Sequence, residues 1–257
     1  MNSLLYRSLS AVQTVDSLTR IALRHRAVRH PYLRAIANGS FPDPSWALAD
    51  FARQYQGYSV HFPRYLTALL SRLENPSHRR ALMANLFEES GQYSDDDLAT
   101  LAVQGVKAEW IVGVPHPELF RRFRLALTEE DDSNEELEVQ CWRDMLLSTL
   151  TIGSAAEAVG ALGLGTELVV STIYRPFLRA IARQRDLAPR DTAFFPLHTL
   201  VDDSHQAILR EIAIDLAATE SGRVDLACGM NKALMLRDSF WSWLHERALQ
   251  CLQCDTF

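Results

Sequence analysis

The sequence predicts an all-α protein folded as one domain over residues 1–257. Three observations carry that expectation. Apolar residues recur at helical spacing through almost every segment, no convincing stretch alternates with the period of two that marks a half-buried strand, and no low-complexity linker or internal repeat divides the chain. At 257 residues, 47% of them apolar, the chain can build one large core or two small ones, and a single helical domain is the economical choice.

The elements follow in order. Residues 15–38 read as one or two short helices ending at Asn38-Gly39. Pro42-Asp-Pro44 opens a helix running to about residue 73, on which Trp46, Phe51, Tyr55, Tyr58, Phe62, Tyr65, Leu66 and Leu69 recur as a core-forming stripe; Pro63 is expected to kink it. Residues 76–91 form the next helix, with Pro76 near its start and Gly91 as its stop. Residues 92–114 are less regular, with a short helix beginning at Asp95-Asp-Asp97, and Pro115 opens a helix to about Leu127. The acidic stretch from Thr128 to Ser133 reads as a surface loop, and Ser133 with Glu136 fits a capping box for a helix to about residue 150. Residues 154–184 form a long helix containing Gly160, Gly163 and Gly165. Each glycine disfavours a helix interior by roughly 1 kcal/mol against alanine, so three together point to close packing of another helix or of something bound. A helix over about 195–219 and a last one over about 223–250, bearing Phe240, Trp241 and Trp243, complete the set.

Charge and cysteine usage narrow the functional class. The net charge is −6 and the pI near 5.8; the only lysines are Lys107 and Lys232, and no basic block is present, which argues against nucleic acid as a partner. The N-terminus lacks a basic-then-apolar export pattern and no apolar run reaches about 18 residues, so neither export nor a membrane span is expected. Cys141 and Cys228 are isolated, and Cys251-x-x-Cys254 has no second pair to complete a zinc site. Free thiols in a reducing cytoplasm are the expectation. The expected partner is a small-molecule substrate, with assembly into a homodimer left open.

The chemistry concentrates in His198-Thr-Leu-Val-Asp202-Asp-Ser-His205. Positions i, i+4 and i+7 share one helix face, so both imidazoles and the carboxylate project together. Pro196 suits the first turn, and Leu200, Val201, Ile208, Leu209 and Ile212 supply an apolar stripe alongside. Two histidines and a carboxylate suit iron, manganese or zinc. Further ligands must come from other helices. Glu167 stands among Leu162, Leu164, Leu168, Val169, Val170 and Ile173, and a buried carboxylate must be paired or coordinate a metal; Arg175 or Arg179 is the pairing alternative. Glu89 ends a helix marked as buried by Leu82, Leu86 and Phe87; Glu88 points about 100° away from it, so one of the two faces the core. His116 begins the Pro115 helix. Three carboxylates and three histidines are a suitable count for two iron ions that activate O2. Ferritin-like di-iron bundles use two Glu-x-x-His motifs, whereas this chain has none and a single Asp-x-x-His, which disfavours a plain ferritin-like bundle.

The order Glu89-x-Gly91, His116-Pro-Glu-Leu-Phe, Gly-Leu-Gly-Thr-Glu167 and His198-x3-Asp202-x2-His205 resembles the haem-oxygenase-like di-iron oxidases and oxygenases. The resemblance extends from Phe62-Pro-Arg-Tyr-Leu66 to the Trp-bearing C-terminal helix and is strongest from Glu167 to the triplet. Some members place the first Glu and first His on one helix; here Gln92 and Asp96 stand at those positions, so His116 is assigned from its Pro-Glu-Leu-Phe context, and Glu88, Asp95 and Asp96 stay as alternatives. The resemblance implies a seven-helix bundle holding two Fe(II)/Fe(III) ions, with O2 as co-substrate in the oxidation of a small organic molecule. Its chemistries include amine N-oxygenation, oxidative C–C cleavage and fatty-acid decarboxylation. Relatives of the fold that lack the full ligand set include cofactor-independent oxidases and thiamin-degrading enzymes. Haem held by His25 or His30, as in haem oxygenase, would leave the triplet unexplained. On this reading Glu167 is a bridging or flexible carboxylate, Glu89 and His116 complete one side of the centre, and His198, Asp202 and His205 anchor the other. Tyr174, seven residues after Glu167, lines the pocket, and Arg175 is a candidate anchor for a substrate carboxylate. An amine or amino acid is the expected substrate. A fatty-acid decarboxylase is the alternative within the fold, and a helical ligand-binding or interaction protein without metal chemistry is the alternative from another class.

Overall fold

The computed structural model describes residues 9–128, 135–200 and 202–251, which contain helices and no strand. In chain order these are α1 (Ala11–Arg24), α2 (Pro31–Asn38), α3 (Pro44–Ser59), α4 (Phe62–Arg72), α5 (Pro76–Glu89), α6 (Asp95–Val103), α7 (Ala108–Ile111), α8 (His116–Leu127), α9 (Leu137–Ile152), α10 (Ala155–Val159), α11 (Leu168–Ile181), α12 (Phe194–Leu200), α13 (Asp202–Leu216) and α14 (Glu220–Gln250). Ser133 of the expected capping box, the acidic stretch 129–134, Val201 and Cys254 lie outside the described residues, as do the side chains of Asp202 and His205.

Local chemistry sets many of the boundaries. Ser10 and Gln13 form a reciprocal capping box at α1, Ser94 and Asp97 another at α6, and Gly39 ends α2 in the left-handed conformation at φ 64°. The helix expected to run from Pro44 to residue 73 is two helices. Pro63 sits in the first turn of α4, where a missing N–H leaves no bond unmade, so it starts a helix instead of kinking one. The aromatic stripe is core as expected: Phe51, Tyr55, Tyr58 and Tyr65 are buried. The helix expected from the Ser133–Glu136 pair begins at Leu137, with Glu136 as its N-cap.

The glycine-rich run also differs from a plain helix. Gly160–Glu167 is a π-helical stretch linking α10 to α11. It packs on α14 at backbone contact: a Cβ on Gly160 would stand 2.1 Å from the Leu226 carbonyl oxygen, and one on Gly229 would stand 1.8 Å from that of Glu157. The neighbour that needed glycine is therefore another helix. By length and composition the run Ala155–Ile181 would pass for a membrane span, contrary to the sequence expectation, but 78% of its most apolar window is buried inside the protein. It is the central helix of the core, with α14 and α13 packed on it.

Candidate metal centre

Three helix ends bring the first ligands together. Glu89 closes α5, His116 opens α8, and His198 lies on α12. Gly91 makes the first pairing geometrically feasible. It takes φ +84°, a Cβ there would stand 2.6 Å from the Val114 nitrogen, and its carbonyl accepts the Gly113 amide at 2.8 Å. The chain thus turns back on the end of α5 and sets His116 against Glu89, with Nδ1 3.0 Å from Oε1. Glu89 is 3% exposed and His116 4%. Glu88 is half-buried, and Asp95 and Asp96 are exposed on α6, so the geometry selects Glu89 and His116 among the alternatives.

One donor atom each from Glu89, His116 and His198 lies within 4.8 Å of the others. Two imidazoles and a carboxylate at that separation fit an iron-type cation. The tautomers are favourable. His198 Nδ1 stands 2.7 Å from the Phe194 carbonyl oxygen and donates to it, which turns Nε2 into the lone-pair nitrogen. His116 Nε2 stands 2.8 Å from the Tyr93 hydroxyl. The tautomer whose Nε2–H donates there turns the Nδ1 lone pair to the Glu89 side, ready for a cation; the other lets the Tyr93 hydroxyl donate and Nδ1–H bond Glu89. Tyr93, missed in the sequence, is the outer partner that orients His116; its only linear signal is a position one helical turn beyond Glu89.

Glu167 faces the same pocket and is 3% exposed. It ends the π-helical stretch, whose wider turn changes the angle at which the next residues leave the axis. Such stretches frequently occur at functional sites. Tyr174 lines the pocket as expected, with Tyr55, Tyr58 and Phe194 beside it. The cavity measures about 20 Å³, room for about one water molecule, and the half-buried Phe62 and Pro117 are part of its lining. Burial, ahead of any neighbour, pushes the Tyr58, Tyr93 and Tyr174 hydroxyls above the ordinary tyrosine range, so they stay protonated at neutral pH.

One expectation changes. Arg175 is exposed and does not line the pocket; nor does Arg179, also exposed. At 3.6 residues per turn, each points away from the face carrying Glu167 and Tyr174. The fold gathers His198 with Glu89 and His116 at one place. Asp202 and His205 follow His198 on the next helix, but where their side chains lie is outside the described residues.

Comparison with known proteins gives the family and the fold. A family model described as iron-containing redox enzyme matches residues 49–238. A 4-aminobenzoate synthase of Chlamydia pneumoniae is 25% identical over 204 residues, 77% of this chain and 79% of that one. Among solved structures, a CADD-like protein of unknown function from Nostoc punctiforme superposes with TM-score 0.70 at 13% identity, covering 93% of this chain and 95% of its own. A domain with a heme oxygenase-like fold from Shewanella denitrificans gives 0.67 at 16% identity, covering 93% and 92%. A TenA homologue from Pseudomonas syringae also gives 0.67, at 15% identity and 91% coverage of each. These likenesses show the fold, and the family match spans most of the chain: it belongs to the iron-containing redox enzymes and has the haem-oxygenase-like all-helical architecture.

Proposed function

We propose that this protein is a non-haem di-iron oxidase or oxygenase that uses O2 to oxidise a small amine or amino acid. The observation that carries the reading is the convergence of Glu89, His116 and His198 donor atoms within 4.8 Å, with buried Glu167 in the same pocket. Asp202 and His205 complete the proposed set of six ligands. Bound iron would supply the O2 activation that no protein side chain provides. The protein's own residues do the rest. Tyr93 holds the His116 ring, the Phe194 carbonyl fixes the His198 tautomer, and the aromatic walls exclude water. The chlamydial relative is named for making 4-aminobenzoate, an aromatic amine, which supports the amine or amino-acid class over a long fatty acid.

Anaerobic dialysis against Fe(II) tests the centre. The wild type should retain about two irons per chain, because six ligands exceed what one O2-reactive iron needs. His198→Ala or Glu89→Ala should lose at least one. Unchanged iron content in both variants overturns the reading. Glu167→Ala should remain helical and lose O2 consumption; wild-type rates in that variant would remove Glu167 from the centre.

A further inference from the structure

Two buried tryptophans touch tyrosines of the pocket, and they lead to different places. Trp241 lies parallel to Tyr55 with ring centres 6.3 Å apart, and its other neighbour is Tyr32 at 5.7 Å. Trp241 and Tyr32 are both fully buried, so this branch ends inside the core. Trp142, on α9, takes the other direction. It stacks on Tyr58 with ring centres 3.9 Å apart and planes 6° from parallel. Aromatic pairs ordinarily settle offset or edge-to-face with centres about 4.5–7 Å apart, so this contact is unusually close and face-on. Tyr58 lines the pocket that Glu89, His116, Glu167 and His198 share. Trp142 lines a groove of about 910 Å³ between α9 and α14. The pocket has room for about one water molecule, so Tyr58 stands beside the candidate ligands.

One pair of rings therefore spans the distance from the pocket to the surface. Phenol and indole are the aromatic side chains that give up one electron most readily. Electron transfer falls off steeply with the gap between donor and acceptor, and ring contact leaves almost none. The far end is chemically suited to supply electrons. Cys141, next to Trp142 in the chain, is an exposed thiol in the groove, and the exposed thioethers of Met145 and Met235 line it as well. Thiols and thioethers are the side chains that oxidants consume first.

We propose that Tyr58 and Trp142 form an escape route for oxidising equivalents, carrying them from the pocket to thiols at the α9–α14 groove when O2 is reduced with no substrate bound. The assignment rests on the O2 chemistry of the proposed function. Each transfer moves one electron inward, from a thiol to Trp142 and from Trp142 to Tyr58, and the thiol proton goes to solvent. Four transfers and four protons reduce one O2 to two waters, while four thiols pair as two disulfides. Cys141 is the first thiol on the route, and small thiols entering the groove restore it.

The test exposes the Fe(II)-loaded full chain to O2 without substrate or added thiol, in the presence of a nitroso spin trap. Peptide mass spectrometry then locates the trapped radicals. Cys228, an exposed thiol outside the groove, is the internal control. Trapping at Cys141 should exceed trapping at Cys228 by about fivefold or more, a margin that exposure does not supply. Trp142→Phe should bring the two cysteines within about twofold of each other while circular dichroism stays helical. If Trp142→Phe does not fold, Tyr58→Phe carries the test with the same expectation. Equal trapping in the wild type, or a Cys141 preference that survives the variant read, overturns the proposal. A metal-free measurement keeps it apart from the di-iron reading. Azide radicals from pulse radiolysis oxidise tryptophan in the metal-free chain, and the tryptophan radical should pass to tyrosine, with Tyr58→Phe at least halving that transfer. O2 consumption by the loaded protein without this transfer rejects the escape route alone. Transfer with no O2 consumption rejects the di-iron reading alone, since the ring pair is then shown to conduct.

Discussion

Asp50 and Glu89 are both buried carboxylates, 2% and 3% exposed, on helices of the same core. Their surroundings differ in kind. Asp50 accepts from both ends of the Arg247 guanidinium and from Gln54, closing a local network with a cation that is always charged. Glu89 meets His116, a partner that is neutral or charged according to need, with His198 completing a ring of donor atoms. The first arrangement satisfies a charge with the chain's own atoms. On the proposed function, the second is organised around a cation from outside. Buried acids thus divide by the identity of the partner rather than by depth.

The strongest way to break this contrast is a crossed pair of variants. Glu89→Ala should remove at least one iron per chain but leave the metal-free protein equally or more stable, because a costly buried charge disappears. Asp50→Ala should leave iron content unchanged and lower stability by about 2–4 kcal/mol, because Arg247 loses its counter-charge. Metal analysis and urea unfolding on both variants decide it, and matching behaviour would erase the distinction. A next, smaller effect belongs to Tyr93. Tyr93→Phe should weaken Fe(II) affinity about 10- to 100-fold through loss of the bond that orients His116, with little change in melting temperature. An affinity equal to wild type would make that bond incidental.

His30 sharpens the comparison from the structural side. It is 1% exposed, its Nδ1 accepts the Tyr32 amide, and its Nε2 lies 3.1 Å from the Ser242 hydroxyl. Burial, then the nearby Arg26, lowers its pKa from 6.5 to about 4, against a smaller upward pull from Asp238. Because the folded pKa is the lower one, the stabilisation is complete above about pH 6.5 and is lost as pH falls toward 4. His30→Asn keeps a capping acceptor without the titration, so its urea midpoint should fall less than wild type between pH 7 and pH 5. An equal fall would place the pH sensitivity elsewhere. The smallest effect is expected at Arg175: exposed and outside the pocket, its change to alanine should alter turnover less than about twofold. A large loss there would restore it as a substrate-carboxylate anchor.

Residues whose roles depend on nearby sequence were readable in the linear chain. Helix periodicity predicts one face for His198, Asp202 and His205, of which the last two side chains lie outside the described residues; the apolar run around Glu167 predicts its burial, which the fold bears out, whereas Glu89 is buried although Phe87 beside it is exposed. Helical character, the core stripe and several caps were equally local. Tertiary structure decided what depends on partners distant in sequence. It brought His116 and His198 to one site through the turn at Gly91. It chose a π-helical register for Gly160–Glu167 through backbone contact with α14, and it made Pro63 a helix start. Tyr93 owes its significance to His116, which it meets only in three dimensions. Periodicity states which way a side chain points; only packing decides what stands there to meet it.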